Sequence, residues 1–270
     1  MQTFIKHTSL LKFHSKTAIF NYFYILKIFM ETKDWFTDWF DTSYYHTLYK
    51  ERNDVEAQLF MRKITEMLSL NKATHILDLP CGKGRHSVFL NSLGYRVTGS
   101  DLSKNSINAA KKYENDTLKF NVHDMRVPFS NKYNAVFNLF TSFGYFEDDK
   151  EDLLILHNIK NGLTKEGVFI FDFLNAIMVK ENLVTKETKV VDGITFDITR
   201  EISNGFILKH ISFFANAKKH SYTERVKYLD LEKMTYYLEK VGFKIEHTFG
   251  DYYLNSFNSK TSNRLIIVAK

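Results

Sequence analysis

Between His75 and Phe173 short apolar runs alternate with helical stretches, and nothing else in the chain constrains its fold as much. Ile76–Leu79, Arg96–Ser100, Leu118–Val122, Ala135–Phe140 and Val168–Phe173 read as strands, while 84–93, 103–112 and 149–162 read as helices. Strands interleaved with helices at this spacing wind into a parallel sheet covered by helices on both faces, an α/β fold. The 270 residues are enough for one such domain with an insertion.

The flanks have a different texture. Trp35 to Phe40 and Tyr44 to Tyr49 are rich in aromatics, and Asp54 to Leu70 places Val55, Leu59, Ile64, Met67 and Leu68 at helical spacing. Beyond the alternating region, Ile194, Phe196, Ile198 and Ile202 alternate with polar residues. Asn204-Gly205 then supplies the two positive-φ positions of a tight hairpin turn, and Phe206–Phe214 returns. A further run, His220–Leu229, completes an antiparallel ribbon spanning about 188–229. A helix over 230–241 follows, with Gly242 at its end, and then strands near Phe243–Phe249 and Arg264–Val268.

Charge bears on partners through its distribution. The formal net charge is +6, but residues 1–29 hold Lys6, Lys12, Lys16 and Lys27 with no acid. From Met30 onward the 37 basic residues become 33 against 31 acidic ones. A near-neutral body argues against nucleic acid as a partner. The apolar stretch Ala18 to Phe29 is too short and too interrupted to span a bilayer, so no membrane association is expected. Residues 1–29 are expected to be an N-terminal extension outside the fold, 30–70 a helical cap and 71–270 the main domain. A lone cysteine excludes an internal disulfide and a thiolate metal cluster; no metal and a cytoplasmic location are expected.

The stretch "DLPCGKGRH", residues 78–86, occupies the loop after the first strand, where open α/β sheets bind ligands. Gly82 and Gly84 let a ligand lie against the main chain, and the helix that starts near Arg85 offers unpaired N–H groups. Asp78 ends the strand as an acceptor for a cationic group. Asp101, ending "VTGSD", is placed to take two ribose hydroxyls. A nucleoside with a positive substituent suits both. A dinucleotide fingerprint needs G-x-G-x-x-G/A, and here Ser87 stands in the third place; the phosphate-loop pattern does not occur.

At these residues the chain resembles the class I S-adenosylmethionine-dependent methyltransferases, and within them the small-molecule bacterial members. The resemblance runs from about Trp35 to Lys270. The family's first motif, D/E-x-G-x-G-x-G, reads Asp78-Leu79-Pro80-Cys81-Gly82-Lys83-Gly84 here, with Pro80 in place of the first glycine. It implies a Rossmann-like, seven-stranded, mostly parallel sheet carrying the antiparallel ribbon as an insertion, and S-adenosylmethionine as cofactor. It also implies that Asp101 and Leu102 hold ribose and flank adenine, and that Asp124 and Met125 in "NVHDM" meet the adenine amino group and face. By the same resemblance, Asn138, Leu139, Phe140, Thr141 and Phe143 in "FNLFTSFGYF" line the methyl-donor pocket.

Each residue also has a plainer role. Gly82 and Gly84 can simply shape a turn, Asp101 can cap a helix, and Asp124 can pair with Arg126 on the surface. Phe140 and Phe143 can be core, and His86 a loop histidine.

Methyl transfer is an in-line displacement at a sulfonium carbon, so alignment and exclusion of water matter more than any one catalytic side chain. The implied reaction is transfer to nitrogen or oxygen of a small molecule. Two prolines, Pro80 and Pro128, leave no N/D-P-P-Y/W motif of base-modifying enzymes. The acceptor is expected among the parts outside the core fold: Tyr44, Tyr45, Tyr49 and Arg52, the ribbon, and the loop with Tyr252, joined by Asp172 and Asn175 after the fifth strand. The ribbon reads equally as a lid and as a homodimer interface. An RNA or protein methyltransferase, and a non-catalytic cofactor-binding protein, are the alternatives.

Overall fold

A computed structural model describes residues 35–50 and 54–270; the expected extension 1–29, the start of the cap at 30–34 and Arg52 lie outside the described residues. Two short helices, α1 (Trp35–Phe40) and α2 (Ser43–Leu48), precede the longer α3 (Asp54–Met67). Thr42 caps α2 by accepting from the Tyr45 N–H. The expected helix to Leu70 stops three residues early, because Ser69 takes a left-handed conformation at φ 49°.

The alternating region forms β1 (His75–Asp78), α4 (Arg85–Ser92), β2 (Arg96–Asp101), α5 (Lys104–Ala110), β3 (Leu118–Val122), β4 (Tyr133–Asn138), α6 (Asp149–Gly162) and β5 (Leu163–Leu174). After α7 (Ala176–Glu181) come β6 (Lys186–Val191), β7 (Ile194–Ser203), β8 (Phe206–Ala215) and β9 (Lys218–Lys227). The chain ends in α8 (Leu231–Lys240), β10 (Ile245–Phe249) and β11 (Arg264–Ala269). One seven-stranded sheet has the order β10-β11-β5-β4-β1-β2-β3. It is parallel from β3 through β5, while β11 runs antiparallel to both β5 and β10.

Side-chain alternation explains why both faces are covered. Leu77, Val136, Phe169, Phe171 and Phe173 pack on one side, whereas Ile76, Ala135, Phe137, Val168 and Ile170 pack on the other. The strand order reverses at β1, whose neighbours are β2 and β4. The loops leaving β1 and β4 therefore open a crevice at the carboxyl edge.

The ribbon has four strands and not three, forming a separate antiparallel sheet in the order β6-β7-β8-β9. Its hairpins turn at Asp192-Gly193, Asn204-Gly205 and Asn216-Ala217, and both residues of each pair have positive φ. β6 is missed by a periodicity reading because "KETKVV" is mostly polar and lies at the sheet edge. A third core, with Trp39, Leu48, Phe196, Ile198, Ile211 and Phe213, joins this sheet to α1 and α2.

Candidate cofactor and acceptor site

A cavity of about 800 Å³ opens where the β1 and β4 loops diverge and continues beneath the four-stranded sheet. Its volume falls in the usual range for small-molecule sites. Of the residues expected at the cofactor, Asp78, Leu79, Pro80, Cys81, Gly82, Arg85, Asp101, Leu102, Asp124, Met125, Leu139 and Phe140 line it. Gly84, Asn138 and Phe143 do not.

The two glycines of the loop do different things. Gly82 has φ 55°, and nothing stands within 4 Å of the place a Cβ would take, so its backbone is open. Gly84 has φ 81°, and a Cβ there would meet the Phe120 ring at 2.6 Å. Its role is to let α4 approach β3. Gly99 answers the same ring from β2 at 2.5 Å, a pairing no sequence motif announces. The Leu79–Pro80 peptide bond is cis.

The acids at the carboxyl edge are partly committed. Asp101 accepts from the Gly82 N–H at 2.7 Å and from the Ser103 N–H at 2.8 Å, so it ties the glycine loop to β2. Ser103, and not Asp101, caps α5. Asp78 accepts from the Ser87 hydroxyl at 2.6 Å; burial pushes its carboxyl up to about 7, with nearby Asp101 adding to the rise against that hydrogen bond. Burial likewise raises Asp101. The Cys81 thiol is pushed up by burial and by both acids, so it is no nucleophile. Asp124 does pair with Arg126, but the pair is buried, not superficial: Nη2 meets Oδ2 at 2.7 Å, and Nε donates to both oxygens at 3.1 Å.

Asn138 ends β4 and donates to the carbonyls of Leu79 at 2.9 Å and Ser142 at 3.1 Å, holding the two site loops together from behind. The expected strand to Phe140 ends at Asn138 because Phe140 and Thr141 take φ 59° and 65°. Phe140 then stacks on His86 with ring centroids 4.4 Å apart. Phe143 turns into the core against Phe171.

For the acceptor, the expected set divides sharply. Tyr45 lines the cavity, whereas Tyr44 packs on Phe213 and His220 away from it. Asp172 and Tyr252 are buried behind the Phe140 turn, where Tyr252 donates to Asp172 at 3.2 Å. Asn175 caps α7 and donates to the carbonyls of Ser259 and Ser262, a purely architectural use. Tyr49 lines the cavity too, and the structure brings Arg200, Lys209 and Glu224 to the wall beside Tyr145 and Phe146. The charged members were legible only as interruptions of an alternating apolar pattern, such as Ile198-Arg200-Ile202.

Residues 70–239 match the methyltransferase domain family. The chain belongs to this family. A methyltransferase-named protein of Bacillus subtilis, YqeM, is 30% identical over 117 residues, 42% of this chain and 47% of its own length; the chain thus spans about half of that relative. A solved S-adenosylmethionine-dependent methyltransferase from Clostridium acetobutylicum superposes with a TM-score of 0.72 at 18% identity. That alignment covers 84% of this chain and 95% of the other. CalS10, an amino pentose methyltransferase from Micromonospora echinaspora solved with its cofactor bound, gives 0.62 at 17% identity over 84% and 96%. The two structural likenesses bear on the fold: a seven-stranded Rossmann-like sheet with the antiparallel sheet added.

The cofactor of this methyltransferase family member is S-adenosylmethionine, and the residues present fit it. Gly82 leaves an open stretch of backbone, Asp78 faces the cavity with a carboxylate suited to a cationic group, and Asp101 offers acceptors at the end of β2. Among the described residues no group of three or more His, Cys, Asp or Glu is arranged to hold a metal, and no helix is long and apolar enough to cross a membrane.

Proposed function

We propose that the protein transfers a methyl group to a nitrogen or oxygen of a small-molecule acceptor. The bound cofactor supplies an electrophilic methyl on a sulfonium; the protein's own residues align, enclose and neutralise. One observation carries the acceptor's size. The cavity that begins at Gly82 has residues of β7, β8 and β9 along one side and Phe40, Tyr45, Tyr145 and Phe146 along its walls, so an acceptor that reaches the loop enters a recess of about 800 Å³ and not a flat face. A polymer bound across an open face has no need for such a recess. Aromatic walls also exclude water and favour a positive charge placed over their rings. Tyr145 donates to the Thr141 carbonyl at 3.0 Å, and burial raises its phenol above the ordinary range, so it serves as a neutral hydrogen-bonding wall and not as a base.

The test is transfer of labelled methyl from S-adenosylmethionine into a metabolite fraction of small molecules, run beside RNA and protein fractions. Label in the small-molecule fraction is expected. Label confined to RNA or protein would replace this reading, and cofactor binding without any transfer would favour a non-catalytic binding protein.

A further inference from the structure

On its two central strands, β7 and β8, the face that the four-stranded sheet turns toward α1 and α2 is apolar in every row but one, while the flanking strands add Glu187 and Lys189 from β6 and His220 from β9. Cross-strand pairing sets Phe196 beside Phe213, Ile198 beside Ile211, and Ile202 beside Ile207. The row between the last two is Arg200, Lys209 and Glu224. Charges on an inward face lose hydration and persist only with compensation. Here part of it is visible: Arg200 donates to Glu187 at 2.5 Å, and Glu224 accepts from Trp39 at 2.7 Å and from Tyr49 at 2.7 and 2.8 Å.

Lys209 is the member with capacity left. Its ammonium donates to the Tyr49 hydroxyl at 2.5 Å and lies 3.7 Å from Glu224, a long ion pair, while three N–H groups are available to it. Glu224 is already engaged by two donors, the Trp39 indole and the Tyr49 hydroxyl, so it orients Lys209 without saturating it. Arg200 and Lys209 both line the cavity. At the opposite end of the same cavity stand the carboxylates of Asp78, Asp101 and Asp124. Both ends therefore carry charge: acids beside Lys83 and Arg85 at the glycine loop, and two cations with Glu224 under the sheet.

We propose that the acceptor carries an anionic group, a carboxylate or a phosphate ester, which docks on Lys209 with Arg200 beside it and thereby points the acceptor's other end toward the glycine loop. This rests on the small-molecule methyltransferase reading. Burial lowers the Lys209 ammonium below its ordinary range, with Glu224 opposing the shift, and an incoming anion supplies the partner that restores its charge. The row selects among acceptors; it is a specificity device and needs no part in the chemistry.

The experiment is a calorimetric titration of phenyl phosphate, benzoate and, as the neutral counterpart, phenol into the full chain saturated with S-adenosylhomocysteine. At least one of the two anions is expected to bind and phenol to bind far more weakly, the tighter anion naming the group. Lys209→Met is expected to weaken anion binding by about tenfold or more. Lys209→Arg, which keeps the charge, is expected to retain most of it, and both variants should bind S-adenosylhomocysteine as the parent does. The proposal falls if phenol binds as tightly as the anions, if Lys209→Met binds them unchanged, if Lys209→Arg loses as much as Lys209→Met, or if neither anion binds a protein that does bind S-adenosylhomocysteine. Failure to bind S-adenosylhomocysteine would instead strike the methyltransferase reading, and the same anion titrations without it would still decide the Lys209 site.

Discussion

Arg264 donates through Nε to Oδ1 of Asp172 at 2.8 Å, and the Asp172 side chain is wholly buried. The pair braces the cavity wall from behind. Asp172 Oδ2 accepts from the Phe140 N–H at 2.7 Å, and Arg264 Nη2 donates to the Thr141 hydroxyl at 3.1 Å. Two consecutive positive-φ residues are thereby pinned to β5 and β11. Removing the guanidinium leaves a carboxylate buried without its counter-charge, which costs about 3–5 kcal/mol. Arg264→Met is expected to lose that much stability and to weaken cofactor binding through the freed Phe140 turn. Denaturant titration and calorimetry of the same sample check both; a stable variant with intact binding would refute the bracing role.

Gly82 and Gly84 separate two functions inside one motif. Gly82→Ala is expected to cost about 1–2 kcal/mol for the left-handed backbone and to weaken S-adenosylhomocysteine binding. In Gly84→Ala the same backbone cost is joined by roughly 1–3 kcal/mol for displacing Phe120, so the larger fall in melting temperature belongs to this variant. Calorimetric binding and thermal melts on both proteins should show the two effects falling in opposite order.

Asp78 predicts a pH dependence. Its folded carboxyl stands at about 7, above the ordinary value near 4 that it recovers on unfolding. The raised value means that its contribution to ligand-free stability is complete below about pH 4 and is lost as pH rises through about 7. A cation favours the ionised form, so affinity for S-adenosylmethionine should rise through the same region. A loss of about tenfold is expected between pH 8 and pH 6, and Asp78→Asn should bind weakly with no such slope. Calorimetry across that interval is the measurement; an equal slope in the variant would assign it elsewhere.

A second buried acid joins the four-stranded sheet to the main domain. Asp152 on α6 is fully buried and meets the Lys227 ammonium of β9 at 2.5 Å; burial raises its carboxyl to about 6 against the pull of that lysine. Lys227→Met strands the carboxylate and is expected to cost about 3–5 kcal/mol at pH 8. At pH 5 the acid is mostly protonated, so the loss should shrink. Urea titrations at the two pH values compare them directly.

The alternation of strands and helices from His75 onward marked the parallel sheet because burial on both faces demands long apolar strands with helical crossovers between them. The Asn204-Gly205 turn was equally plain, since few residue pairs supply two positive φ angles. The acceptor wall was not legible: Asp172, Asn175 and Tyr252 stand at the correct edge of the sheet by sequence, yet they are consumed by Arg264, Ser259 and Ser262 arriving from the far end of the chain.

By itself, the sequence determined which local elements form and where a ligand-binding loop must lie, because periodicity, turn residues and strand ends are properties of neighbours along the chain. Only the tertiary structure decided which carboxylates remain at the cavity, which glycine faces it, and that Arg200, Lys209 and Glu224 share one row of the four-stranded sheet. Those depend on partners from 19 to 185 residues away, such as Gly82 with Asp101 and Trp39 with Glu224, and hydrogen-bond saturation between such distant groups leaves no trace in local pattern.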